Sequence, residues 1–174
     1  PIFMGAQMRV SEITGAIMRE QLKRLDGILA DLRRVKKTII EGVKDTGLTI
    51  MPSNDLDGDC GTTFGLQFES EKLAREFAAC EGVEGKLPID SGKHVYVNWK
   101  PVLEKRGAHN EDVNPFNHPK NQGLNSNYTA DMCPYTLDIL SRTVFISLHP
   151  DWSKEKVDGT IKAIRKAAGK IHVK

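Results

Sequence analysis

From Ser11 to about Asp45 the apolar residues Ile13, Ile17, Leu22, Leu25, Ile28, Leu29, Leu32, Val35, Ile39 and Val43 recur at steps of three and four. That period is helical. Ser11 is an available N-terminal cap with Glu12 beside it, and Gly47 follows Lys44 at the other end, matching cap and dipole preferences. The pattern predicts one long helix, bent at Gly27. Such a helix exceeds the usual length in globular domains, so it is expected to lean on something beyond a domain of this size.

Beyond the helix the period changes. Leu48 to Ile50 reads as a short strand, and Met51 to Gly61, rich in Pro, Asn, Asp and Gly, as a connection. From Thr62 to Phe68 the residues Phe64, Leu66 and Phe68 alternate as in a half-buried strand. Ser70 with Glu71 opens a second helix carrying Leu73, Ala74, Phe77 and Ala78, closed by Gly82. Val95 to Trp99 is a short aromatic strand candidate. Between Glu104 and Met132 Asn, His, Pro, Gly and Lys dominate over a stretch too long and polar for a routine connection; such loops bind ligands or stay disordered. A short helix from Tyr135 to Leu140 precedes a strand from Thr143 to Leu148, where Val144, Ile146 and Leu148 alternate. The last helix starts after Ser153, a cap three residues before Lys156, and runs to about Ala168 with Val157, Ile161 and Ile164 inward. The order of elements predicts an α/β or α+β fold, with a long N-terminal helix and a small, mostly antiparallel sheet covered by helices on one face.

Composition narrows the function. The 174 residues are 39% hydrophobic, enough for one domain with a core and too few for two full ones. A net charge of +2 gives no electrostatic reason to expect nucleic acid or an anionic membrane as partner. Cys60, Cys80 and Cys133 are odd in number and widely spaced, which argues against a disulfide framework and for the cytoplasm. No apolar run approaches the roughly 20 residues that span a bilayer, and no signal-peptide pattern opens the chain. Pro1 to Gly5 reads like the interior of a longer polypeptide.

Several motifs dissolve on inspection. Asp55-Leu-Asp57-Gly-Asp59 starts like a calcium loop, but Cys60 stands where the turn glycine belongs and Leu66 where a bidentate Glu is required, so an acidic turn is expected. His94, His109, His118, His149 and His172 show no short-range metal spacing and none joins a CxxC-type unit. Asn127-Tyr-Thr129 fits a glycosylation sequon that is common by chance. There is no G-x-S-x-G, Walker loop or G-x-G-x-x-G. Gln7 and Arg9, just before the long helix, stand where backbone N–H groups and the helix dipole favour an anion such as a phosphate; the bland alternative for Arg9 is a solvated first-turn residue.

One resemblance ties these pieces together. Gly5-Ala-Gln-Met-Arg9-Val-Ser11-Glu12-Ile, continued by Thr14-Gly-Ala16 and Gln21-Leu22-Lys-Arg-Leu25-Asp26-Gly-Ile28-Leu, resembles the DegT/DnrJ/EryC1/StrS family of pyridoxal-phosphate aminotransferases. There a G-x-N-[YF]-R-[ML]-S-E-L segment leads into a helix reading Q-L-x-x-L-D-x-I. Cys133-Pro134-Tyr-Thr136-Leu-Asp-Ile139-Leu140-Ser141-Arg142, followed by Ile146-Ser-Leu-His-Pro150-Asp-Trp-Ser153 and a closing helix, is similar to that family's carboxy-terminal signature. From Asp57 to Met132 the likeness is less distinctive, although His94-Val-Tyr96-Val-Asn98-Trp99 falls where the family has an aromatic strand.

The resemblance implies the carboxy-terminal part of a fold type I enzyme, with residues 1–46 as interdomain segment and long helix and 47–174 as the small domain. The cofactor would be pyridoxal 5'-phosphate, in a homodimer whose shared active site moves an amino group from glutamate to a nucleotide-linked keto sugar. The Schiff-base lysine belongs to a large domain, and no lysine here lies in the matching motif, so no catalytic residue is assigned. In the family an Asn and an Arg before the helix reach the cofactor phosphate of the neighbouring subunit. Gln7 takes the Asn position, one methylene longer, and Arg9 matches the Arg. His94, Tyr96, Asn98 and Trp99 lie where the small domain would face the sugar; for Tyr96 and Trp99 the alternative is an aromatic strand packed in the core. A dehydratase of the same family, with histidine in place of the lysine, fits this stretch equally. The readings outside the family are a free-standing binding module with the small-domain fold, and a metal-dependent hydrolase using His109 and His118.

Overall fold

The structure is a computed structural model that describes residues 10–107 and 110–172. Six α-helices and a four-stranded antiparallel sheet make up the described residues, a mixed, α+β arrangement. The helices are α1 (Glu12–Leu22), α2 (Leu25–Val43), α3 (Glu71–Ala78), α4 (Lys100–Leu103), α5 (Pro134–Ser141) and α6 (Lys154–His172). The strands are β1 (Thr49–Ile50), β2 (Thr63–Gln67), β3 (Gly85–Lys86) and β4 (Thr143–Ser147), in the spatial order β1-β2-β4-β3. Among the described residues no helix is long and apolar enough to cross a membrane.

Alternation along the two central strands builds the core. Phe64 lies opposite Ile146 and Leu66 opposite Val144, so all four side chains share one face, and all four are buried. Against that face pack Leu32, Val35, Ile39 and Val43 of α2, Ala74 and Phe77 of α3, and Val157, Ile164 and Ala167 of α6. Full burial of each large side chain contributes about 1.5–3 kcal/mol. Ser70 caps α3, its hydroxyl oxygen accepting from the Leu73 N–H at 3.3 Å, and places Phe77 against Phe68 with ring centroids 5.0 Å apart.

Where α2 meets α6 a side chain is missing by design. A Cβ at Gly42 would come within 2.6 Å of Ile161 Cδ1. Beside this contact the Arg165 guanidinium donates to the Gly42 carbonyl at 2.9 Å and holds both carboxylate oxygens of Asp45, at 2.5 and 2.9 Å. The last helix continues four residues past the predicted Ala168 because Ile171 extends its apolar stripe onto the core.

The acidic turn expected at Asp55 to Asp59 is a clamp onto α2. Lys36 pairs with Asp59, Lys37 donates to Asp57 at 2.5 Å, and Arg33 Nε donates to the Asp59 carbonyl at 2.8 Å. Gly61 closes the clamp with φ +73°, its α-carbon so close to α2 that a Cβ would lie 2.8 Å from the Leu32 carbonyl carbon.

Two sequence expectations are corrected. The single helix from Ser11 to Asp45 is two, and the interruption falls at Lys23 and Arg24 instead of Gly27. There the Arg24 N–H donates to the Gln21 carbonyl three residues back at 3.0 Å, a 3₁₀ turn. The change coincides with the end of packing, since α2 buries one face and α1 buries no residue. Val95 to Trp99 is no strand. It forms 3₁₀ turns at Gly92–His94 and Tyr96–Asn98, in which the Asn98 and Trp99 N–H groups donate to the Val95 and Tyr96 carbonyls at 3.0 and 2.9 Å, so groups a ladder would need are spent within the turn. The fourth strand is β3, whose two residues pair with Phe145 and Ile146 and are too few to show a period.

Substitution separates two costs at glycine. Gly61→Ala is expected to destabilise the fold by about 2 kcal/mol or more, combining left-handed strain with the clash on α2. Gly92→Ala, with φ +64° and open space around it, should cost about 1 kcal/mol from strain alone. Urea unfolding of both variants checks the difference.

Acid sensitivity follows from the clamps. Hydrogen bonds from Arg165, Lys36 and Arg75 hold Asp45, Asp59 and Asp90 below the ordinary aspartate value of 3.8. Carboxylates whose folded pKa is lowered stabilise the fold above the unfolded value, and lose that contribution as pH falls through the folded one. The urea midpoint should therefore hold at neutral pH and fall below pH 3.8, with a shallower fall in Asp59→Asn.

Candidate functional site

The four residues expected to face a substrate are brought together in one place, on the turns between β3 and α4. Tyr96, Asn98 and Trp99 have polar atoms engaged with the protein itself. Tyr96 Oη donates to the Ala130 carbonyl at 2.8 Å and accepts from the Cys133 N–H at 3.1 Å. Asn98 Nδ2 donates to the Gly92 carbonyl at 2.8 Å, and Trp99 Nε1 to the Lys93 carbonyl at 2.6 Å. His94 is exposed, Trp99 is largely so, and Val95 is the residue of this segment that turns into the interior. The cluster is thus a stapled corner, with His94 exposed and Trp99 partly so.

What it staples is the long polar segment. That segment is organised around Asn114, which is 1% exposed, donates to the Lys105 carbonyl at 3.1 Å and Glu111 Oε2 at 2.8 Å, and accepts from the Phe116 N–H at 3.0 Å. Glu111 also accepts from Asn117 Nδ2 at 2.7 Å, and Phe116 meets Tyr128 edge to face with centroids 6.5 Å apart. Sequence reasoning passed over Asn114; its signal is an Asn directly before Pro115, a pairing that favours a turn closed by the Asn side chain. Tyr96 then ties the end of the segment to the start of α5.

Arg142 was also passed over as a polar group of interest. Its guanidinium bridges Asp138, at 2.8 Å, and the Phe68 carbonyl, at 3.0 Å, and it borders a groove of about 380 Å³ with Gly47, Leu48, Gln67 and Glu69.

Gln7 and Arg9, the expected phosphate ligands, lie outside the described residues, as does His109. His118 Nδ1 accepts from the Lys120 N–H at 3.2 Å, and among the described residues no three His, Cys, Asp or Glu side chains converge to hold a metal ion. The Arg142 groove has no lysine in its lining, whereas Lys36, Lys23 and Lys86 border other grooves, Lys36 paired with Asp59 and Lys23 with Glu20.

The second outstanding feature is α1. It is a regular helix, opened by Ser11 Oγ accepting from the Thr14 N–H at 3.2 Å, and all its large apolar side chains are at the surface, from Ile13 at 75% exposure to Leu22 at 69%. Ile13 and Ile17 lie on one flank of the helix and Met18 and Leu22 on the other, with Thr14 and Gln21 between them. A scan of the sequence against models of known protein families finds no match.

Tyr96→Phe tests the staple. Loss of the hydroxyl is expected to cost about 1 kcal/mol in urea unfolding and to raise amide exchange around Ala130 to Cys133, leaving exchange in β2 and β4 unchanged.

Proposed function

We propose that this chain is the small domain and connecting helix of a pyridoxal-phosphate enzyme similar to the DegT/DnrJ/EryC1/StrS aminotransferases, moving an amino group from glutamate to a nucleotide-linked keto sugar in the cytoplasm. The observation that carries this reading is α1, a regular helix whose large apolar side chains Ile13, Ile17, Met18 and Leu22 are all exposed. A segment has that character when another body of a larger assembly covers it. The α+β body behind it, with helices on one face of a small antiparallel sheet, is compatible with such a small domain.

In this reading residues 1–46 join the small domain, 47–174, to a large domain that supplies the lysine and holds the cofactor. Gln7 and Arg9 reach the phosphate across a homodimer. His94 and Trp99 stand toward the sugar, while Tyr96 and Asn98 fix the corner that presents them.

Two measurements test it. The 174-residue chain alone is expected to show no transamination of glutamate with keto sugars in the presence of added pyridoxal phosphate, and turnover would contradict the proposal. Reading the source gene upstream of the Pro1 codon should reveal an open frame for a large domain, with lysine at the aldimine position for an aminotransferase or histidine for a dehydratase; a stop codon there would overturn the enzymatic reading.

A further inference from the structure

Aspartate stands directly before glycine at Asp26-Gly27, Asp57-Gly58 and Asp158-Gly159. All of these residues are exposed, so access to solvent does not separate the pairs. The backbone does. Gly159 lies inside α6, where each N–H donates to the carbonyl four residues back and helical dihedrals hold the aspartate side chain away from it. Gly27 lies in the first turn of α2, where the dihedrals are helical but the N–H has no acceptor within the helix. Asp57 and Gly58 belong to neither helix nor strand. Around them the Asp59 N–H donates to the Asp55 carbonyl at 2.8 Å and the Asp57 N–H to Asp55 Oδ1 at 3.0 Å, whereas the Gly58 N–H meets no acceptor among the described residues.

We propose that Asp57 is a site of self-modification, at which the Gly58 backbone nitrogen closes on the Asp57 carboxyl group and the main chain is rerouted as isoaspartate. The nitrogen forms a bond to Asp57 Cγ, a C–O bond of the protonated carboxyl group breaks, and water leaves with the amide proton. The product is a cyclic imide. Water then adds to one of its carbonyls: cleavage of the Cγ–N bond restores aspartate, and cleavage between the nitrogen and the main-chain carbonyl carbon leaves the chain running through Cγ. Glycine permits the approach because it carries no Cβ, and here a Cβ at Gly58 would also collide with Asp55 Oδ2. Lys37 opposes the step. Its ammonium group donates to Asp57 Oδ1 at 2.5 Å and keeps the carboxyl group ionised, whereas ring closure needs the protonated form. Isoaspartate lengthens the main chain by a methylene next to Asp59, so the product loosens the contacts of Asp59 with Lys36 and Arg33 that clamp this turn onto α2. The inference rests on this turn alone and is independent of the aminotransferase reading.

The experiment ages the purified 174-residue chain for weeks at physiological temperature and pH, folded and in guanidinium chloride. Peptides are then mapped by mass spectrometry, and isoaspartate is located with an isoaspartyl carboxyl methyltransferase and a labelled methyl donor. In denaturant the Asp-Gly pairs should react at similar rates. In the folded chain isoaspartate should accumulate severalfold faster at Asp57 than at Asp158, with Asp26 between them. Asp57→Glu, which keeps a carboxylate for Lys37, should abolish the signal at this position, and its urea midpoint should hold on ageing while that of the wild type falls. Lys37→Gln should raise the rate at Asp57 severalfold. Equal accumulation at all of the pairs in the folded chain, or isoaspartate at Asp57 only in denaturant, would overturn the proposal, and an unchanged rate in Lys37→Gln would overturn the role given to Lys37.

Discussion

The contact between α2 and α6, made against the sheet, is the constraint on which the rest of the structure depends. Gly42 lets Ile161 approach the α2 backbone, and Arg165 ties the Gly42 carbonyl and Asp45 to α6 in the same place. With that contact fixed, the apolar faces of both helices meet one side of β2 and β4, and Phe64, Ile39 and Ile164 become parts of a single core. The exposed ion pairs add little to this by themselves; their arrangement around close backbone approaches is what matters.

The same logic explains why α1 differs from α2. Both carry apolar residues at steps of three and four, and among the described residues only α2 buries its own against the core. At Lys23 and Arg24 the chain tightens into a 3₁₀ turn, which separates a helix held by tertiary packing from one held by its own caps and i,i+3 pairs such as Glu20 with Lys23. An eleven-residue helix of that kind is marginal in water when alone. Cover of its exposed apolar side chains would stabilise it.

Much of the fold was legible in the sequence where periodicity and burial agree. Phe64, Leu66 and Phe68 alternate because one face of β2 is core and the other is not, and Ser70, Ser11 and Ser153 cap the helices they precede. Legibility failed where local hydrogen bonding outranked pattern. Tyr96 and Trp99 have strand propensity, but their polar tips and the Asn98 amide bind nearby carbonyls, and the backbone turns. β3 is two residues long and owes its existence to the edge of β4, which no local pattern records. Of the expected substrate-facing residues, Tyr96, Asn98 and Trp99 spend polar groups on the corner itself, Asn98 and Trp99 on the Gly92 and Lys93 carbonyls and Tyr96 on Ala130 and Cys133.

The most direct test of this account is hydrogen exchange along the two N-terminal helices. If α2 belongs to the core and α1 packs against none of it, amides of Val35 to Val43 should show strong protection and those of Ile17 to Leu22 weak protection. Equal protection along both helices would contradict it.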